Sequence, residues 1–223
     1  MSSILLYLIW NLQRQTIEAT VADPRSERSW QKLADAQLEI LLEQPGVSPT
    51  VEQVLQRAGV ARATFYRHFK DLDGLLGWKV EHMLDAISDS IDWNSNLRES
   101  LFNGRVVRAV LEHAQARPEV FRLFVTGQAG PVPLERMFSR FYQASLAFQQ
   151  QRCAQLNIQP GAPLEVICSS LSGQMIGMLR WLLISQSEID REQVVSWMSQ
   201  IFLHGFSEFL DPAALAATEA NPL

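Results

Sequence analysis

The residues best suited to chemistry in this sequence lie in one short run, RAGVARATFYRHFK, from Arg57 to Lys70. That chemistry is recognition rather than reaction. From Gln53 to Lys70 there are four Lys/Arg and no Asp or Glu, in a chain whose formal net charge is −5. Read as a helix over about 62–69, at about 100° per residue, the run places Phe65 and Phe69 on one side and Ala63 and Arg67 opposite them. Arg62 and Tyr66 fall on one flank, Thr64 and His68 on the other. A small residue such as Ala63 lets a helix sink into a DNA major groove about 12 Å wide, and Arg67 carries the fork that fits guanine O6 and N7. Tyr66, Thr64, Arg62, His68 and Lys70 are side chains that bind phosphate oxygens on the groove walls. A solvated basic helix explains the charge, but not this ordering of sides.

The elements around the run must hold that face outward. Thr50 opens a helix of about eight residues, with Gln53 three positions later completing the TxxQ capping box that satisfies free N–H groups. Val51, Val54 and Leu55 point inward from it, and Ala58-Gly59 stops it; glycine adopts the left-handed turn conformation at little cost. Two short helices joined by such a turn, the second basic, form a helix-turn-helix. Thr50 adds a hydroxyl at a helix N-terminus, which also suits a phosphate. A preceding helix from about Glu27 to Glu43 presents Trp30, Leu33, Ala34, Leu38, Leu41 and Leu42 on one stripe, and Asp71 is placed to cap a longer helix from Leu72 to about Asp92.

Helical periodicity continues to the end, and no alternating Val/Ile/Thr run marks a strand, so the chain reads as all-α. Further helices are expected at about Arg98 to Ala116, Pro118 to Thr126, Leu134 to Leu156, Pro163 to Ser187 and Arg191 to Leu210, broken at Gly130-Pro131-Val132-Pro133 and Gln159-Pro160-Gly161-Ala162-Pro163. The expected organisation is an extension over 1–25, a helix-turn-helix domain over 26–77, a larger helical domain over 78–212 and a flexible tail over 213–223.

Several functions are disfavoured. Cys153 and Cys168 make no disulfide framework and suit a reducing cytoplasm. His68, His82, His113 and His204 lack metal-ligand spacing, so neither a metal nor a cofactor is expected. No nucleophile elbow, phosphate loop or paired-carboxylate motif points to an enzyme. The apolar run Ile4 to Trp10 lacks a positive flank and falls far below the roughly 20 residues of a membrane span, and Glu165, Gln174 and Arg180 interrupt the apolar helix from Leu164 to Ile184. A cytoplasmic protein without a membrane partner is the expectation.

The segment PTVEQVLQRAGVARATFYRHFKDLDGLL resembles the DNA-binding signature of TetR-type transcriptional regulators. It matches at Gly46, Thr50, Val51, Val54, Ala58-Gly59-Val60, Thr64-Phe65-Tyr66, His68-Phe69 and Leu75-Leu76. The resemblance covers roughly Glu27 to Gly77. It implies that Thr50, Thr64, Tyr66, His68 and the basic residues beside them touch operator DNA, and that the remaining helices bind a ligand and dimerise. The chain departs from the pattern at Ala61, where a capping serine is frequent, at Leu72, where a phosphate-binding lysine is common, and at Leu55, commonly a smaller residue.

Beyond that segment the residues themselves suggest roles. Ser170, Gly173 and Gly177 form a small-residue stripe, and Gly205 lies near Trp197 and Ile201 on the next helix; together they are the candidate interface of a homodimer. Tight packing within one subunit fits the same spacing. Trp93, Phe102, Phe121, Phe124, Met137, Phe138, Phe141 and Met175 are candidates to line a pocket for a small apolar effector, although each also suits a core. Arg122, His113 or Gln174 are candidates to orient a polar group of that ligand. The function expected is that of a homodimeric repressor on a palindromic double-stranded operator, released by the effector. The alternative is a DNA-bound structural or partner-binding protein that uses the same head without sensing a small molecule.

Overall fold

The computed structural model of the chain describes residues 24–91, 104–185 and 189–204. Among these it is built of α-helices without strands: α1 (Pro24–Glu43), α2 (Val51–Ala58), α3 (Arg62–His68), α4 (Leu72–Asp89), α5 (Arg105–Ala116), α6 (Pro118–Val125), α7 (Val132–Leu156), α8 (Leu164–Ser185) and α9 (Arg191–His204). The chain is thus all-α, with an N-terminal helix-turn-helix followed by a larger helical part. The expected helix starting near Arg98, the extension over 1–25, the tail over 213–223 and the end of the last helix lie wholly or partly outside the described residues, as do Trp93, Phe102 and Gly205.

Two cores organise the fold. The smaller joins Leu33, Ala34, Ala36 and Ile40 of α1, Val54 and Leu55 of α2, Phe65 and Phe69, and Leu75 at the start of α4. The larger begins at Leu38 and Leu41 of α1 and Leu76, Val80, Leu84 and Ile87 of α4, and runs through α5–α9. α1 and α4 therefore contribute to both cores, because adjacent positions on a helix face different neighbours. The stripe expected on α1 is one-sided, but its Leu33 and Ala34 enter the smaller core while Leu38 and Leu41 enter the larger.

Buried polar pairs fix these two helices. Lys79, only 5% exposed, donates to Asp35 at 2.8 Å, and Gln31 reaches the same carboxylate. The Gln37 amide donates to the Leu72 carbonyl at the start of α4. A buried charge without its partner is costly, so these contacts specify the α1–α4 register. Farther along α4, Glu81 and Asp85 meet Arg140 of α7. Burial pushes the Glu81 carboxyl up, against the pull of Arg140 and Arg136. Asp85 is covered by α7, while His82 on the same helix stacks on Trp78 and meets Glu27 at 3.2 Å.

Candidate nucleic-acid interface

α3 is too short to be stable alone, since helix nucleation is unfavourable and brief helices depend on tertiary packing. Its start is also uncapped: Ala61 makes no side-chain cap bond, as the missing serine implied. Packing supplies what the cap does not. Phe65 is fully buried and Phe69 is 8% exposed, and burying one such ring contributes about 1.5–3 kcal/mol. Trp30 closes the cluster with edge contacts to Phe69 and Trp78 at ring separations of 5.5 and 5.8 Å. It also meets the His68 ring at 4.9 Å.

The element before the turn is capped as the sequence implied. The Gln53 backbone N–H donates to the Thr50 hydroxyl, and the Thr50 N–H donates to the Gln53 side chain at 2.8 Å. Gly59 ends α2 in the left-handed region at φ 63°, where a side chain is strained. Asp71 caps α4 by accepting from the Gly74 N–H at 2.8 Å.

These constraints leave one face free. Thr50, Arg62, Ala63, Tyr66, Arg67, His68 and Lys70 are exposed, and Thr64 is half-buried. The structure therefore brings together every residue the helical wheel placed outward, with the inward pair in the core. Not all the charge is equally available. The Arg57 fork grips Glu43 at 2.6 and 2.9 Å, a hydrogen bond that holds the Glu43 carboxyl below its ordinary value. Arg62 lies 3.3 Å from Glu52 and 5.4 Å from the centre of the Tyr66 ring. Arg67 and Lys70 make no ion pair among the described residues. Sequence reasoning missed the two acids, because Glu43 and Glu52 fall outside the acid-free run and reach it only through the fold. It also read Trp30 as one more apolar residue; its place between α3 and α4 had no sequence signal.

The body presents a different surface. Ser170, Gly173 and Gly177 are exposed, and a Cβ added at either glycine meets nothing within 4 Å. Among the described residues, therefore, nothing packs against the two glycines. Val166, Trp181 and Ile184 extend the stripe and are 57%, 46% and 51% exposed. Trp197 and Ile201 of α9 are half-buried and, with Gly177 and Trp181, line an open apolar groove of about 280 Å³. α8 is the one described helix long and apolar enough to cross a membrane, yet it packs against α6 and α7.

The aromatic set suggested for an effector behaves as core. Phe121, Phe124, Met137, Phe141 and Met175 are 1–8% exposed, all within the larger cluster. Phe138 does not share their surroundings, being turned outward and 36% exposed. The three candidate polar groups are engaged with backbone: Arg122 donates to Leu183 O, His113 pairs with Ala109 O and Gln174 donates to Met198 O.

Comparison with known proteins agrees with the geometry of the head. Residues 39–77 match the family model described as bacterial regulatory proteins, tetR family. A solved structure described as a TetR-family transcriptional regulator from Syntrophomonas wolfei superposes with a TM-score of 0.63 at 15% identity, covering 79% of this chain and 93% of that one. Another from Shewanella sp. PV-4 gives 0.59 at 19% identity, covering 78% and 95%. The fatty acid degradation regulator FadR from Bacillus halodurans gives 0.60 at 14% identity, covering 83% and 98%. At these identities the likeness is one of fold. No curated protein sequence gives a significant match.

Proposed function

We propose, for a chain that carries a tetR-family head over 39–77 on the fold of TetR-type transcriptional regulators, that the protein is a homodimeric repressor of transcription. The observation that carries this reading is the outer face of α3, where Ala63 and Arg67 stand exposed opposite the buried Phe65 and Phe69. In the reading, Arg67 takes guanine O6 and N7 while Ala63 permits close approach. Thr50, Arg62, Thr64, Tyr66, His68 and Lys70 hold phosphates. His68 acts from the edge of the Trp30 ring, so its contact is fixed by packing.

A single seven-residue helix covers too few base pairs for strong specificity, so two copies are needed. The outward apolar stripe of α8 with the α9 groove supports pairing through Ser170, Gly173, Gly177, Trp197 and Ile201 about a two-fold axis. Two heads spaced about 34–36 Å would then read a palindrome. The protein works in the cytoplasm, on the nucleoid when bound.

A small, largely apolar effector is proposed to release the DNA by opening the Phe121, Phe124, Met137, Phe141 and Met175 cluster. Hydrogen bonds support a route from that region to the head. Arg122 donates to Leu183 O, and Arg180 donates to Val125 O, holding α6 on the end of α8. The loop after α6 then accepts from the head, Gly46 N–H to Gln128 O at 3.1 Å. A ligand that shifts α6 must weaken DNA binding by the amount that DNA weakens the ligand.

Selection of bound duplexes from a random pool tests the reading, with the full-length chain and then with candidate apolar ligands added. An enriched palindrome lost on adding a ligand is expected. No enrichment overturns DNA recognition. Enrichment that no ligand disturbs supports instead the DNA-bound protein that senses no metabolite.

A further inference from the structure

Glu52 stands on the exposed first turn of α2, two residues after the Thr50 cap, and its carboxylate lies 3.3 Å from the Arg62 guanidinium. Both side chains are open to solvent, at 78% and 67% exposure. The pair joins the two helices of the reading head on the side where phosphates are proposed to bind. An exposed ion pair of this kind is weak and screened by salt. It is therefore not a structural tie: α2 is already capped by Thr50 and Gln53, and α3 is held by Phe65 and Phe69. The Arg57–Glu43 pair differs, since both guanidinium nitrogens are used and it joins α2 to the end of α1. Arg62 meets its acid through one nitrogen and rests beside the Tyr66 ring.

We infer that Glu52 is a positioning residue that restrains sequence-independent DNA binding, by holding Arg62 in competition with the phosphate backbone. This rests on the DNA-reading role proposed above. Binding to random duplex comes almost wholly from neutralising phosphates and releasing counterions. A carboxylate that holds Arg62 removes one cation from that count. Discrimination then depends more on Arg67 at the base edge. A genome offers a vast excess of competing non-specific sites, so lowering that background raises effective specificity.

The test compares wild type, Glu52→Gln, Arg62→Gln and the double variant on random duplex and on a selected sequence, across a salt series. Glu52→Gln is expected to bind random duplex about two- to fivefold more tightly, the scale of one exposed ion pair. Its log–log salt slope is expected to steepen by about 0.9, one phosphate more. Both changes are expected to vanish when Arg62→Gln is also present. Unchanged random-duplex affinity and slope would overturn the inference, as would a gain that survives Arg62→Gln. Weaker binding of the selected sequence with relaxed preference at one base pair would also overturn it, and assign Glu52 a base contact. Circular dichroism of the variants checks that each is folded. If wild type selects no sequence at all, it is the DNA-reading role that fails, a separate result from any of these.

Discussion

The head and the body expose opposite kinds of surface. On the head, the residues left outside by a small aromatic core are cations and hydroxyls around an alanine, with Arg67 at the centre. On the body, α8 leaves outside Val166, Gly173, Gly177, Trp181 and Ile184, which have no polar reason to be there. A charged face suits a polyanion, whereas a contiguous apolar face marks a protein contact. The difference supports the proposal that DNA affinity and pairing belong to separate ends, joined by α1 and α4, which contribute to both cores.

That separation can be broken from either end. The largest effect is expected from Phe65→Ala, which empties the centre of the head core and should destabilise by about 3–5 kcal/mol. Denaturant unfolding followed at Trp30 and Trp78 should show the head melting first, while α8 and its pairing persist. Next comes Trp181→Ala on the apolar face, expected to weaken self-association by about 2 kcal/mol or more. Sedimentation equilibrium should show monomer at concentrations where wild type is dimeric, with circular dichroism unchanged. Arg67→Ala should cost about 1–3 kcal/mol of binding and relax preference at one position per half-site. Dimerisation should not change. The smallest effect is expected from Lys70→Ala, which should weaken binding to all sequences alike and reduce the salt slope by about 1.

The two ends also differ in how far they were legible from sequence. The head is encoded locally: a capping box, a glycine turn and one helical wheel all lie within Thr50 to Lys70, and each has its counterpart in the structure. What sequence could not supply there were contacts across helices, such as Glu43 on Arg57 and Trp30 against His68. In the body, Gly173 and Gly177 fit inward packing and outward pairing equally well by spacing. The empty space beside them among the described residues leaves them open to the proposed pairing. Phe138 and Phe141 looked equivalent on α7, yet one faces out and the other lies in the core, because only the neighbouring helices define the buried side. The acids of α4 are a further case, since Glu81 and Asp85 are covered only where Arg140 of α7 packs across them.

The central claim is that two heads read one DNA together because the body pairs them. Inserting five base pairs, about half a helical turn, between the half-sites of a selected operator tests it most directly. Wild type should bind the native spacing as two chains per duplex and fall to random-duplex affinity on the inserted one. Equal affinity for both spacings would contradict the account and show that each head binds alone.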